Sequence, residues 1–69
     1  MKIGIITIGN ELLSGFTLDR NAAWIGQQLL AKGMKVDVHH TIPDNFDDIY
    51  DTLEYQWKEL ECDHIIVTG

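Results

Sequence analysis

The hydrophobic positions of the chain follow two periods, that of a strand and that of a helix. Residues 2–8, KIGIITI, are almost continuously apolar and rich in β-branched side chains, which is typical of a strand covered on both faces of a parallel sheet. Residues 35–42, KVDVHHTI, alternate between apolar and polar positions, which favours an edge strand with one solvated face. Residues 64–67, HIIV, form a short apolar run that predicts a third strand.

Two helices are predicted between these strands. Over residues 20–32 the apolar residues recur at helical spacing, and Asp19 and Gly33 stand where an N-cap and a left-handed C-cap are needed. Residues 46–60 have Asn45 as a candidate N-cap and carry the best helical stripe of the chain, which consists of Phe46, Ile49, Tyr50, Leu53, Trp57 and Leu60. We expect Tyr50 and Trp57 to pack in the core rather than to form a stacking platform.

This order of strands and helices predicts an α/β fold of three layers. A βαβαβ chain implies parallel strands joined by right-handed crossovers. With the first strand at the centre, the strand order is 2-1-3 and the two helices lie on opposite faces. Open sheets of this kind bind ligands outside the carboxyl ends of their strands, which here are the loop after Ile8, the turn at Pro43 and Asp44, and Thr68 with Gly69.

Composition and charge narrow the possible partners. The 69 residues are 45% apolar and 23% charged, as expected for one small folded core. Five Lys and Arg against eleven Asp and Glu give a net charge of −6, and without a basic cluster we expect no nucleic acid partner. Cys62 is the single cysteine, so no internal disulfide forms and a reducing, cytoplasmic location is expected. The apolar run of residues 3–8 is too short for a signal peptide or a membrane span, so we expect no membrane partner.

The connection over residues 9–19, GNELLSGFTLD, is longer than the about two to six residues usual between a strand and a helix. Gly9 and Gly15 would let the backbone approach a ligand closely, and Asn10 and Ser14 supply neutral hydrogen-bonding groups. With the N-terminus of the following helix, this loop could hold a phosphate, and Glu11 could ligate Mg²⁺ bridging phosphate oxygens. The alternative is that both glycines are turn residues and Glu11 is a solvated acid.

Known nucleotide motifs do not account for this loop. No lysine follows Gly15, so it is not a Walker loop, and G-x-G-x-x-G is absent. Thr68 stands where a phospho-receiver domain needs an aspartate. His39 and His40 are adjacent on a strand and point to opposite faces, so they cannot chelate one metal ion, and we interpret both as structural.

Four segments together resemble the molybdopterin-binding domain family, and within it the CinA-like proteins. They are ITIGNELLSG, a helix that opens with D-x-N-A, a strand that ends in I-P-D, and HIIVTG. The resemblance covers the whole chain and implies the opening half of a Rossmann-like open sheet. The family's T-G-G-x-G-P loop is represented only by Thr68 and Gly69, so residues 1–69 are expected to be a partial domain that ends within this motif, inactive by itself.

The resemblance also implies a site and an activity. It assigns ligand or phosphate binding to Gly9, Asn10, Ser14, Gly15, Asp19, Asn21, Thr68 and Gly69, and catalysis with metal binding to Glu11 and Asp44. Asn10 occupies a position that is often Asp in the family. The implied ligand is a phosphorylated pterin, such as molybdopterin, or a nucleotide. The complete protein is expected to be a homo-oligomer that hydrolyses a nucleotide pyrophosphate of the ADP-ribose type with Mg²⁺ or another cation, or alternatively a non-catalytic ligand-binding or oligomerisation module.

Overall fold

A computed structural model describes residues 1–15 and 17–69 and contains a parallel sheet with helices on both faces. Its strands are β1 (Ile3–Ile8), β2 (Val38–Ile42) and β3 (His64–Thr68). Their order is β2-β1-β3, and both neighbours run parallel to β1. The predicted α/β class, strand directions and strand order are therefore confirmed.

The helices are α1 (Asn10–Leu13), α2 (Arg20–Ala31) and α3 (Phe46–Glu54), and α3 continues into a π-helical turn over Tyr55–Glu59. The predicted caps are present: the side chains of Asp19 and Asn45 accept hydrogen bonds from the first turns of α2 and α3, and Gly33 has φ +80° after α2. Among the described residues, no helix has the length and apolar character needed to cross a membrane.

Two element boundaries differ from the prediction. The expected irregular loop after β1 contains the single turn α1, because Glu-Leu-Leu favours helix and Ser14 donates its backbone N–H to Asn10 O at 3.2 Å. The second strand begins at Val38 rather than at residue 35. Immediately before it, the Asp37 N–H donates to Ile3 O at 2.8 Å, while the Asp37 carboxylate accepts the Ile3 N–H at 2.8 Å. A side chain therefore replaces a backbone acceptor at this point.

The core lies at the centre of the sheet, around β1. One face of the sheet contacts α2, and the other contacts the π-helical turn after α3. Ile3, Ile5 and Ile6 of β1 are at most 3% exposed. On one face, Ile5 lines a shared cavity with Ala22 of α2. On the other face, Gln56 of the π-helical turn contacts β1 and β2. The helices therefore lie on opposite faces, as predicted.

Gln56, in the π-helical turn that continues α3, is fully buried. It is not part of the apolar stripe predicted for residues 46–60. Its side chain is 0% exposed; its Nε2 donates to Ile5 O at 3.1 Å and lies 2.9 Å from His40 Nδ1. Its Oε1 lies against the Cα of Gly4. Because Nε2 is the donor, His40 accepts at Nδ1. Gln56 thereby joins the π-helical turn to β1 and β2.

The expectation that Tyr50 and Trp57 pack in the core is wrong. Tyr50 is 56% exposed and Trp57 is 65% exposed. The physical reason is that Gln56 holds the helix with its contact face toward β1 and β2. Tyr50 and Trp57 instead line a groove of about 330 Å³ with Ile65 of β3.

Candidate functional site

A cavity of about 530 Å³ lies at the carboxyl edge of the sheet. The end of β1, the helix α1, the segment before α2 and the first turn of α2 surround it, together with the residue after β3. Its lining residues are Thr7, Glu11, Leu12, Thr17, Leu18, Asp19, Arg20, Asn21 and Gly69. This is the edge at which a parallel open sheet is expected to bind ligands.

Asp19 forms one wall of this cavity and caps α2. Its Oδ1 accepts the Ala22 N–H at 3.0 Å, while its Oδ2 lies 3.3 Å from Nε2 of His39. Burial alone would raise the pKa of the Asp19 carboxyl, but hydrogen bonds from Thr7 and the Ala22 backbone, together with His39, outweigh burial and hold this pKa below its ordinary value. Asp19 is therefore an ionised carboxylate fixed at the helix start.

This lowered pKa predicts a pH dependence of stability. Because the folded-state pKa is depressed, ionised Asp19 stabilises the fold above its unfolded-state pKa of about 3.9, and the contribution is lost as pH falls through the folded-state pKa. Asp19→Asn keeps the cap acceptor but removes the titration. We expect the free energy of unfolding, measured with urea below about pH 5, to fall more steeply with acidification for the wild type than for D19N. Equal slopes would contradict the prediction.

Glu11 reaches the cavity from α1. The helix is closed by Ser14, whose Oγ donates to Glu11 O at 3.0 Å. The Glu11 carboxylate folds over Gly9: a Cβ built at Gly9 would stand 2.9 Å from Glu11 Oε1. Glycine therefore leaves room for this position of the Glu11 side chain, although the flexible carboxylate could move away from a larger residue.

Asn21 connects the first turn of α2 to the end of β3. Its Nδ2 donates to Thr68 Oγ1 at 3.4 Å. Gly69, the next residue, lines the cavity, and a Cβ built on it would be 3.6 Å from Ile8 O. Asn21 and Thr68 are 47 residues apart in the sequence. The D-x-N segment and the T-G segment thus meet at the carboxyl edge of the sheet.

Asp44 lies beside this cavity rather than in its lining. Its backbone N–H donates to Asn10 Oδ1 at 3.2 Å, and Gly9 N–H donates to Ile42 O at 3.0 Å. The structure therefore places the Asp44 backbone beside the loop after β1. Of the predicted site residues, Glu11, Asp19, Asn21 and Gly69 line the cavity, whereas Gly9, Asn10, Ser14, Gly15, Asp44 and Thr68 are not among its lining residues.

The charges around the cavity bear on metal binding. Glu11 and Asp19 are its carboxylates and Arg20 is its cation. Within residues 1–15 and 17–69 there is no group of three His, Cys, Asp or Glu side chains arranged to hold a metal ion. Mg²⁺ often uses only one or two carboxylates together with substrate phosphates. The donors present therefore suit a cation that arrives with a phosphorylated ligand.

The sequence did not single out Thr7 and Arg20, which line the cavity, or His39, which contacts Asp19. His39 was interpreted as a structural residue that cannot chelate a metal ion together with His40. The signal was nevertheless present, because alternation along β2 places His39 on the opposite face to His40, and His40 faces Gln56 of the π-helical turn. His39 consequently faces α2, whose N-cap is Asp19.

The chain is similar to a defined group of proteins. A family model described as a probable molybdopterin-binding domain matches residues 4–69. CinA-like proteins from Geotalea uraniireducens and Fusobacterium nucleatum are 41% and 36% identical over 69 residues, which is all of this chain but only 16% and 17% of theirs. A crystal structure of the protein CinA with unknown function from Thermoplasma acidophilum matches with a TM-score of 0.85 at 33% identity, and the match covers 99% of this chain and 39% of that one.

Proposed function

Because the chain belongs to the probable molybdopterin-binding domain family, as its motifs predicted, we propose that its carboxyl-edge cavity binds a phosphorylated pterin or nucleotide. The observation that carries this proposal is the convergence of Glu11, Asn21 and Gly69 around one cavity of about 530 Å³. Two further features favour an anionic ligand: the α2 N-terminus carries a partial positive charge, and Arg20 stands in its first turn.

In this proposal each group has a separate task. The first turn of α2 and Arg20 attract the phosphates, while Asn21 holds the end of β3 against the helix. Glu11 would hold Mg²⁺ or another cation that neutralises phosphate oxygens. Asp44 would orient the attacking water from the β2 side, as its position beside Asn10 allows. The reaction would be hydrolysis of a phosphoanhydride in a nucleotide pyrophosphate such as ADP-ribose.

The test uses the complete protein, because the chain spans only 16% of the length of the Geotalea relative. Purified protein is incubated with ADP-ribose with MgCl₂ or with EDTA, and the products are followed by ³¹P NMR. We expect AMP and ribose 5-phosphate only with the cation. Binding of ADP-ribose without turnover would overturn the hydrolytic part of the proposal and leave the binding part.

An alternative proposal is a non-catalytic ligand-binding or oligomerisation module. It is favoured by the exposed aromatic stripe, in which Tyr50 and Trp57 are 56% and 65% exposed. Analytical ultracentrifugation of the complete protein with and without ADP-ribose distinguishes the two. A change in oligomeric state on binding, with no turnover, would favour the module over the enzyme.

Asp44→Asn in the complete protein is expected to reduce turnover of ADP-ribose much more than it reduces stability. Asp44 is exposed, and its contact with Asn10 uses the backbone N–H, which Asn retains. Exposed substitutions of this kind usually change stability by no more than about 0.5 kcal/mol. Steady-state kinetics and urea unfolding of D44N, with Asp47→Asn as a matched exposed control, check the prediction. An unchanged kcat in D44N would remove Asp44 from the mechanism.

A further inference from the structure

His39 contacts the candidate site, although the function proposed above gives it no role. Its Nε2 lies 3.0 Å from Thr7 Oγ1 and 3.3 Å from Asp19 Oδ2. Thr7 is only 2% exposed, and the side chains of Asp19 and His39 are 17% and 38% exposed. Groups from β1, β2 and the cap of α2 therefore meet at one imidazole nitrogen.

This cluster is not a nucleophilic triad. In such a triad the nucleophile and the carboxylate contact different nitrogens of the histidine, whereas here Thr7 and Asp19 approach the same Nε2. Thr7 lines the cavity but is only 2% exposed, so it offers little of its surface to a substrate. Thr7 and His39 instead present polar groups to the Asp19 carboxylate.

The two oxygens of Asp19 have different environments. Oδ1 is engaged by the Ala22 N–H. Oδ2 is buried and faces two polar groups, Nε2 of His39 at 3.3 Å and the Thr7 side chain, both of which favour its ionised form. Within the described part of the chain, neither contact has regular hydrogen-bond geometry. An ionised carboxylate oxygen left without such polar groups is costly, and beside an anion site it would repel the ligand.

We propose that His39 is a positioning residue for phosphate binding: its Nε2–H holds the Asp19 carboxylate against the sheet and offsets its charge beside the cavity. Asp19 in turn fixes the N-terminus of α2, which the ligand would meet. The identity of the ligand rests on the proposed function. The coupling between His39 and Asp19 rests on their contact in the structure and is independent of that function.

The experiment measures affinity in the complete protein by calorimetry, with ADP-ribose and, separately, inorganic pyrophosphate, both in MgCl₂. We expect His39→Leu to weaken binding about tenfold and to raise KM with little change in kcat. His39→Gln, whose amide N–H can replace Nε2–H, should keep affinity close to that of the wild type. His64→Leu is the matched control, because His64 is exposed at the amino end of β3.

A double-mutant cycle separates positioning from general damage to the fold. Asp19→Asn keeps the cap but removes the charge, so H39L should cost no further affinity in the D19N background. An equal loss in both backgrounds, unchanged affinity in H39L, or an H39Q protein as weak as H39L would each overturn the proposal. If H39L does not fold, His39→Asn, whose donor cannot reach Oδ2, takes its place.

Hydrogen–deuterium exchange distinguishes failure of this inference from failure of the proposed function. If the wild type binds neither ADP-ribose nor pyrophosphate, the proposed function fails. The coupling between His39 and Asp19 is then tested by the exchange rate of the peptide that contains Ala22, because the Ala22 N–H donates to Asp19. Faster exchange in H39L but not in H39Q supports the positioning role, and equal exchange in both variants overturns it.

Discussion

Glu11→Gln in the complete protein is expected to lower kcat for ADP-ribose by about 100-fold or more, the usual cost of removing one group that stabilises charge in the transition state. Glu11 is the carboxylate that α1 carries into the cavity. Glutamine keeps its size and its fit over Gly9 but cannot supply the negative charge that holds a cation. The affinity for Mg²⁺ in the presence of ligand should fall in parallel.

The control for this variant is Glu59→Gln, an exposed acid on the π-helical turn. It changes the net charge by the same amount but is not among the residues that line the cavity. Stopped assays over a range of MgCl₂ concentrations compare E11Q, E59Q and the wild type. Equal kcat values in E11Q and the wild type would show that Glu11 is a solvated acid, the alternative left open by the sequence.

Gly4→Ala should produce a large loss of stability. A Cβ at Gly4 would overlap Oε1 of Gln56 and come within 3.2 Å of Cys62 Sγ. Gln56 cannot yield easily, because its side chain is fully buried and bonded to Ile5 and His40. Overpacking of a dense core costs about 1–3 kcal/mol, and displacement of Gln56 adds the cost of a lost buried hydrogen bond, about 1 kcal/mol.

Urea unfolding of the complete protein, followed by circular dichroism, measures this effect. The matched control is Gly26→Ala, since a Cβ built at Gly26 of α2 meets nothing within 4 Å. That substitution should stabilise the helix by up to about 1 kcal/mol. Equal stabilities for G4A and G26A would refute the packing argument. In the Gln56→Ala background, G4A should cost much less, because the overlapping atoms are gone.

The parts of the fold that depend on local pattern were predictable. The continuous apolar run of β1 indicated a central strand, and burial of Ile5 and Ile6 confirms this. Capping was equally predictable, because Asp19 and Asn45 act on amides only two or three residues away. Such signals are contained in a few adjacent residues, so tertiary contacts rarely override them.

The orientation of the second helix was not predictable from periodicity. The stripe assumed 3.6 residues per turn from Phe46 to Leu60, whereas the turn over Tyr55–Glu59 is π-helical. In this turn the residue that faces the sheet is the polar Gln56, and Tyr50 and Trp57 are exposed. A pattern of apolar positions cannot reveal a buried amide whose N–H groups are bonded by long-range partners such as Ile5 O.

The edge of the sheet that carries the candidate site was predictable, whereas the side-chain contacts there were not. Topology alone brings Glu11, Asp19 and Gly69 to one edge, and the structure places them around one cavity. Asp44 reaches the neighbouring loop through its backbone, a detail that residue type does not encode. The role of His39 depends on the side-chain geometry between β2 and α2, which spacing in the sequence leaves open.

The π-helical turn has a consequence for how this segment tolerates changes in length. Leu60 donates its N–H to Tyr55 O at 3.0 Å, five residues back, so the turn holds one more residue than an α-helical turn. Deleting one residue after Gln56 would let the helix close regularly and would turn the following residues by about 100°. Cys62, whose N–H binds Gln56 O at 2.9 Å, would lose its place under β1. A single-residue deletion here would therefore rotate the segment that leads into β3, whereas the same deletion in a loop would only shorten the connection.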